Sequence, residues 1–231
     1  MYLDIEQLGR VRLIPNPRAK RIIIRFRDEE FQLTHPPGAA ISEIRELLMQ
    51  KRGSLLELKD NSPADFHFTE ETKFSTHSFD VVIVKNNLNA VCATLEDGVL
   101  QISYPQKVSL QDADVQYYIK SMIEEMCRAE AKRILPARVS ELARRHGFIF
   151  SDVKINKSRS RWGSCSSLKN INLSYYCMML PPELIDLVIL HELCHTREMN
   201  HSERFWAQLR KVTEGRSDEL TRQLKDFRLK W

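Results

Sequence analysis

The sequence predicts an α+β fold, with a strand-rich region at residues 1–105 followed by a mainly helical region at residues 106–231. Two observations support this prediction. Short runs of β-branched and aromatic residues, separated by turn residues, fill much of the first region and are typical of strands. In the second region apolar residues recur at three- and four-residue intervals, as in helices that pack on a core. With 231 residues, of which 42% are hydrophobic, the chain can bury a substantial core as one large or two small domains.

The N-terminal region contains several candidate strands and one short helix. Five segments are expected to be strands: residues 21–27, 30–34, 79–84, 89–95 and 99–103. The first two predict a hairpin around Asp28-Glu29, and the last two predict a turn at Asp97-Gly98. Apolar residues at helical spacing predict a helix near residues 41–48, whereas residues 59–78 show the least pattern and are expected to form a mobile loop.

The C-terminal region begins with a long candidate helix over residues 112–146. Gly147 is expected to cap it, and Pro136 is expected to end or kink it because proline lacks a backbone N–H. Three further elements are expected: strands at residues 152–156 and 170–177, and a helix that begins at Pro181-Pro182.

Composition excludes several classes of protein. No apolar run approaches the roughly 20 residues that cross a bilayer, and the N-terminus lacks a basic-then-apolar signal pattern, so no membrane association is expected. The five cysteines form no CxxC pair and no secreted-type framework: Cys92, Cys127, Cys165, Cys177 and Cys194. This scattered, unpaired arrangement of the cysteines favours reduced thiols and a cytoplasmic location.

The strongest chemical signal is the HExxH sequence at residues 191–195. On a helix, residues four apart are rotated by about 40° and rise by about 6 Å, so His191 and His195 project from one face and can bind one ion. Glu192 lies beside that face, where it can deprotonate a water that the metal activates. Leu184, Ile185 and the four residues 187–190 make the helix apolar nearly all round. This predicts a buried helix, in which two histidines and a carboxylate need a function.

A catalytic zinc takes three protein ligands and keeps one open position. His201 is the preferred third ligand, provided that the helix ends between His195 and His201, with Asn200 expected to take a left-handed turn. Three glutamates remain as rivals for this position: Glu198, Glu214 and Glu219. The expected cofactor is therefore one Zn²⁺ per chain.

Several motifs in order along the chain resemble one known family. They are the strand at residues 20–27, Arg161-Trp162-Gly163-Ser164-Cys165-Ser166, Asn172-Leu173, Leu180-Pro181-Pro182, the 191–195 motif and Asn200-His201-Ser202-x-x-Phe205-Trp206. The sequence is similar to the YgjP-like metallopeptidase family, relatives of the SprT-like zincins. The resemblance implies a zincin-like fold for the C-terminal half, zinc on His191, His195 and His201, and Glu192 as general base.

The resemblance implies a zinc-dependent hydrolase but leaves the substrate open. The preferred function is a metallopeptidase that cleaves a peptide with a zinc-activated water. The alternative is a nucleoside triphosphate pyrophosphatase that converts UTP to UMP and pyrophosphate at the same metal site. A non-enzymatic, zinc-stabilised nucleic-acid-binding module is disfavoured, because a structural zinc site has no use for Glu192 or for an open position.

The candidate substrate-binding residues follow from these alternatives. Arg159 and Arg161 precede Trp162 in a basic segment, and the resemblance places that segment beside the metal cleft. Arginine matches phosphate oxygens and tryptophan can stack on a base, although Trp162 is equally interpretable as core packing. For a peptide, residues 170–175, including Asn172, are the candidate edge strand. Binding of nucleic acid is possible but not required, and the oligomeric state is open.

Overall fold

The computed structural model of the protein describes residues 1–27, 30–60 and 66–229. The chain forms two compact units, the first ending at Phe66 and the second beginning at His67. The mixed α+β class agrees with the sequence prediction. The expected boundary after residue 105 differs from this division, because the second group of strands lies in the same unit as the C-terminal helices.

The first unit is a four-stranded sheet with two helices. Its elements are β1 (Tyr2–Ile5), β2 (Gly9–Pro15), β3 (Ile23–Arg27), β4 (Glu30–His35), α1 (Ile41–Gln50) and α2 (Arg52–Asp60). The strand order is β1-β2-β4-β3, and β3 pairs with β4 in the predicted antiparallel hairpin, although residues 28–29 lie outside the described residues. Alternate strand residues are buried, and α1 contributes Ile44 and Leu48 to the same core.

The segment expected to be a mobile loop, residues 59–78, is described only in part. Residues 61–65 lie outside the described residues. On the C-terminal side of them Phe68 is completely buried, and β5 (Phe74–Ser75) forms a short strand.

A second four-stranded sheet opens the second unit. It contains β5, β6 (Asp80–Asn86), β7 (Cys92–Glu96) and β8 (Val99–Pro105) in the order β5-β6-β8-β7. Asp97 and Gly98 have φ values of 48° and 76°, so the turn predicted between β7 and β8 is the left-handed type that hairpins favour.

One long helix, α3 (Ala113–His146), follows this sheet. At one end of α3 the Asp112 side chain accepts a hydrogen bond from the N–H of Asp114. At the other end Gly147 has a φ of 70° and caps the helix, as predicted. Of the two outcomes expected at Pro136, the one in which the helix ends there is wrong, because α3 continues through it. Leu135 and Val139 are completely buried on either side, and their packing offsets the hydrogen bond that proline cannot donate.

The remaining elements carry the candidate site. They are β9 (Asp152–Asn156), β10 (Gly163–Cys165), β11 (Asn170–Ser174), a 3-10 helix (Tyr175–Met179), α4 (Pro182–His195), α5 (Glu203–Val212) and α6 (Ser217–Asp226). The strand expected over residues 170–177 ends at Ser174, because the Ser174 hydroxyl accepts a hydrogen bond from the N–H of Tyr176 and caps the 3-10 helix. Pro182 begins α4, as predicted.

The three-stranded sheet has the order β10-β11-β9, with β11 antiparallel to β10 and parallel to β9. β11 is therefore the central strand of this sheet, and β10 is an edge. No helix in the described part of the chain is long and apolar enough to cross a membrane.

Gln116 joins α3 to the chain that precedes β5. Its amide oxygen accepts from the N–H of Phe68 at 2.8 Å, and its amide nitrogen donates to the carbonyls of Phe68 at 2.9 Å and Leu110 at 2.8 Å. Because Gln116 is buried, its side chain forms these three hydrogen bonds to the backbone in the interior of the unit.

Replacing Gln116 with leucine should lower the free energy of unfolding by about 2 kcal/mol or more, because buried backbone groups lose their partner. Denaturant unfolding followed by circular dichroism measures this change. Gln111→Leu, at an exposed position just before α3, is the control and should change stability by less than about 0.5 kcal/mol. Equal stability of the two variants would contradict the bridging role of Gln116.

Candidate metal centre

The candidate metal site is built on a buried helix. Most residues of α4 are buried, including all of Leu187, Val188, Ile189 and Leu190, so the helix runs through the core of the second unit. It ends at His195, and His191 lies one turn earlier on the same face.

The chain reverses after α4 and brings His201 back to that face. The expected left-handed turn at Asn200 is wrong, because Asn200 is not among the described non-glycine residues with a positive φ. Instead, the N–H groups of Arg197 and Glu198 both donate to the carbonyl of Cys194 and spread the reversal over several residues. The Ser202 hydroxyl accepts from the N–H of Phe205 and caps α5.

The three histidines converge on one point. The Nε2 atom of His191 lies 3.2 Å from Nε2 of His195 and 3.1 Å from Nε2 of His201. All three ligand nitrogens lie within 4.8 Å of one another. Tetrahedral zinc with Zn–N bonds of about 2.0–2.1 Å would separate its nitrogens by roughly 3.3–3.4 Å, and the two separations measured from His191 are close to that value.

Aromatic rings of α5 hold the imidazoles in place. Phe205 is completely buried, and its ring stacks on His195 at 4.5 Å and contacts His191 edge-on at 4.9 Å. The ring of Trp206 stacks on His201 at 5.6 Å. In the sequence, Phe205 and Trp206 belong to the family motif, but no contact with the histidines was predicted for them. Their spacing from His201 could have shown the contact, since the two residues occupy the first turn of the helix that follows it.

The protonation of His195 is set by a backbone carbonyl. Its Nδ1 atom lies 3.0 Å from the carbonyl oxygen of Glu198, which can only accept a hydrogen bond, so Nδ1 carries the proton and Nε2 keeps its lone pair for a metal. Burial lowers the pKa of His195 and, with the neighbouring histidines, lowers the pKa of His191 to about 4. Both rings are thus neutral near pH 7, the form that binds metals.

Glu192 lies beside the histidines against the edge strand β10. A Cβ atom built on Gly163 would lie 2.7 Å from both Cγ and Oε1 of Glu192, closer than real Cβ contacts, so only glycine fits there. Oε2 of Glu192 is buried and has no hydrogen-bond partner among the described residues. Burial raises the pKa of Glu192 to about 7, and the charge of Arg161 opposes that rise.

These features satisfy the requirements of a catalytic metal. Three imidazoles could supply the ligands, and a carboxylate oxygen without a partner among the described residues lies beside them. The rival glutamates lie elsewhere: Glu219 pairs with Arg216, and the side chain of Glu214 is 81% exposed at 3.9 Å from Arg145. Among the described contacts of the site, Glu198 contributes only its backbone carbonyl, which lies 3.0 Å from Nδ1 of His195.

The structure separates the predicted substrate-binding residues. Arg161 is exposed and close enough to Glu192 to affect its pKa. The Arg159 guanidinium instead donates to Glu124 at 2.6 Å and to the hydroxyl of Tyr176 at 2.7 Å, so an acidic partner on α3 already binds it.

The other two predicted residues have mainly structural contacts. The ring of Trp162 is half-buried and packs edge-on against Phe227 at 5.9 Å. Asn172 pairs with Ser164, one residue along from Gly163. Since neighbouring strand residues point to opposite faces, Asn172 lies on the face away from Glu192.

The expected substrate edge strand must also be corrected. Residues 170–174 form β11, which is hydrogen-bonded to strands on both sides and cannot accept a third. The sequence could not reveal this, because the three residues of β10 are too short to be recognised as a strand. β10 takes the edge position beside Glu192.

A buried helix that presents two histidines and a glutamate, with a third histidine from the following turn, is typical of zinc-dependent metallohydrolases. The chain belongs to the YgjP-like family: the model of the YgjP-like metallopeptidase domain matches residues 20–227. This confirms the resemblance that the sequence motifs carry, and the family implies a metal ion at the site.

Two solved structures are similar to part of the chain. One is the metallopeptidase zymogen abylysin of Pyrococcus abyssi, with 21% identity and a TM-score of 0.36 over 39% of this chain and 91% of that one. The other is the metallopeptidase zymogen jannalysin of Methanocaldococcus jannaschii, with 26% identity and a TM-score of 0.34 over 38% of this chain and 89% of that one. No curated protein gives a significant match.

Removing His201 tests the ligand set. His201→Ala should bind zinc more weakly than the native protein, because only two nitrogens remain. Metal titration with a competing chelator measures the affinity. The control is His67→Ala, which removes an exposed histidine outside the cluster. Native zinc affinity in His201→Ala would contradict the assignment of His201 and favour Glu198 as the third ligand.

A methyl group at Gly163 should displace Glu192 without removing a ligand. Gly163→Ala is therefore expected to retain zinc and to lose hydrolytic activity by about 10-fold or more, since misplacement of a catalytic group is costly. Gly53→Ala is the matched control, because a Cβ there meets nothing within 4 Å. Full activity in Gly163→Ala would show that the close contact with Glu192 does not constrain the site.

Proposed function

We propose that the protein is a zinc-dependent metallopeptidase in which His191, His195 and His201 hold one zinc ion and Glu192 is the general base. The observation that carries this proposal is the unpartnered Oε2 of Glu192, buried next to three converging Nε2 atoms. Family membership supports the peptidase class. A structural zinc site would not need a buried carboxylate without a partner, which argues against a non-enzymatic zinc module.

Zinc bound by the three histidines would polarise the scissile carbonyl and lower the pKa of a water. Residues of the chain transfer the proton and position the reacting groups. Glu192 accepts the proton of the attacking water through Oε2 and then donates it to the departing amine. Gly163 holds the carboxylate in position by close contact, and Phe205 keeps two of the imidazoles from rotating.

The proposed substrate is an extended peptide that pairs with the free edge of β10. An edge strand offers unpaired backbone groups, which bind a peptide largely independently of its sequence. Gly163 belongs to β10 and contacts Glu192, so a peptide on this edge would pass beside the general base. The geometry therefore supports cleavage within a peptide strand.

Hydrolysis of a nucleoside triphosphate has less support. The proposed phosphate clamp requires free cations, yet Glu124 pairs with both Lys157 at 3.0 Å and Arg159 at 2.6 Å. A phosphate would have to compete with this carboxylate for the same groups. Arg161 remains the candidate by which this alternative can be tested.

Glu192→Gln tests the general base. The variant should retain zinc, because Glu192 is not a ligand, and lose on the order of 10²- to 10⁴-fold in turnover of a peptide-library substrate. Zinc content and cleavage rate are measured on the same preparation, with the exposed Glu203→Gln as control. The proposed role fails if the glutamine variant turns over at the native rate or loses its zinc as readily as a histidine variant.

Arg161→Ala separates the two enzymatic functions. For a peptidase, cleavage of a neutral peptide should change by no more than about two- to threefold when it is measured at a pH well above the pKa of Glu192, since that carboxyl is then ionised without help from Arg161 and an exposed charge contributes little else. For a UTP pyrophosphatase, kcat/KM for UTP should fall by about 10-fold or more. Both substrates are assayed with zinc-loaded protein of checked thermal stability, and Arg128→Ala is the control for loss of an exposed cation. Efficient UTP hydrolysis that depends on Arg161 would favour the pyrophosphatase over the peptidase.

A further inference from the structure

We propose that Glu124 on α3 is a positioning residue that holds the segment leading into β10 and so places the substrate-binding edge beside Glu192. This inference rests on the proposed peptidase function. Glu124 contacts neither the histidines nor Glu192 in any described interaction, and it acts through the residues between β9 and β10.

The carboxylate of Glu124 binds two cations of that segment. Oε2 accepts from Lys157 at 3.0 Å, and Oε1 accepts from Arg159 at 2.6 Å. The side chain of Glu124 is only 15% exposed, whereas those of Lys157 and Arg159 are 70% and 44% exposed. The anion is thus sheltered under the two cations, where charge-assisted hydrogen bonds are stronger than at an open surface.

The same carboxylate also binds the 3-10 helix that leads to α4. The hydroxyl of Tyr176 donates to Oε1 at 2.7 Å, and the hydroxyl of Tyr175 donates to Oε2 at 3.1 Å. The guanidinium of Arg159 lies over the Tyr176 ring at 4.9 Å and closes the network. Glu124 is therefore the common acceptor for two segments that meet α3 from different parts of the chain.

The pKa of Glu124 lies far below neutral pH, so its side chain is charged. Burial alone would raise the pKa of this carboxyl, but the hydrogen bonds from Tyr176, Lys157 and Arg159 lower it to about 2. Near neutral pH the carboxylate remains ionised and keeps all four donors.

The segment is attached directly to the site. Its Ser158 carbonyl accepts from the Ser174 hydroxyl at 2.6 Å, and its Trp162 carbonyl accepts from the N–H of Ser174 at 2.8 Å. The next residue is Gly163, which contacts Glu192. Lys157 and Arg159, which bind Glu124, thus lie six and four residues before Gly163, where β10 contacts Glu192.

The experiment compares Glu124→Gln with Glu130→Gln. Glu130 lies on the same helix and pairs with Arg133 at 2.7 Å, but the β9–β10 segment is not among its contacts, so it is a matched control for the loss of an ion pair. Glutamine removes the charge while preserving the size of the side chain. Zinc content should remain native in both variants, because neither glutamate is near the three histidines in the described contacts.

Two measurements show whether Glu124 holds the segment that leads into β10. Hydrogen–deuterium exchange of zinc-loaded protein should be faster across residues 157–165 in Glu124→Gln and unchanged there in Glu130→Gln. In the peptide assay KM should rise about 10-fold in Glu124→Gln, with a smaller fall in kcat, because the substrate edge loses support while the histidines keep theirs and Gly163 remains paired with Leu173. A double variant with Arg159→Gln should be no worse than the poorer single variant if the two residues act through one contact.

Each outcome decides the inference. Unchanged exchange over residues 157–165 overturns it, and so does faster exchange with native KM, which would make Glu124 a structural brace only. A comparable rise of KM in Glu130→Gln would also overturn it. If the native protein cleaves no peptide, the peptidase proposal fails by itself, and the exchange data still decide whether Glu124 holds this segment.

Discussion

The contact between Gly163 and Glu192 is the constraint on which the rest of the site depends. A carboxylate on a buried helix is unfavourable unless its surroundings compensate for lost hydration. Here the edge strand approaches so closely that no side chain fits between them, and one oxygen of Glu192 keeps no protein partner. The arrangement preserves a reactive group at a cost in stability, which is the pattern expected at functional sites rather than in an ordinary core.

The three histidines are likewise held by packing against neighbouring side chains. Their rings stack on aromatic residues of α5, which is itself held by the buried Phe205 and Leu209. The imidazoles are consequently oriented by the hydrophobic core and not by the ion alone. Such preorganisation lowers the entropy that metal binding would otherwise cost. The backbone carbonyl of Glu198 adds the hydrogen bond that selects the tautomer of His195.

The role of two cations near the site, Lys157 and Arg159, is determined by their pairing with Glu124. Considered as a sequence, the basic segment before Trp162 suggests an anion-binding surface. In the fold, Glu124 binds Lys157 and Arg159 and offsets part of their charge, and the segment becomes a support for the strand edge. Charges with partners at hydrogen-bonding distance contribute to position more than to long-range attraction of a ligand.

The sequence by itself determined those features that depend on residues close along the chain. Two histidines four apart share a helix face, Asp97-Gly98 permits the left-handed turn, and Ser202 caps α5, all for local reasons. Sequence also identified the family, through motifs whose order is specific. Tertiary structure alone decided that α3 continues through Pro136, because packing on both sides outweighs a local preference. It likewise decided that β10, with three residues, is the edge and β11 the centre, since strand order depends on pairing between distant segments. Glu124 precedes Arg159 by 35 residues, and no local pattern links them; only the folded chain brings that carboxylate to the segment it holds.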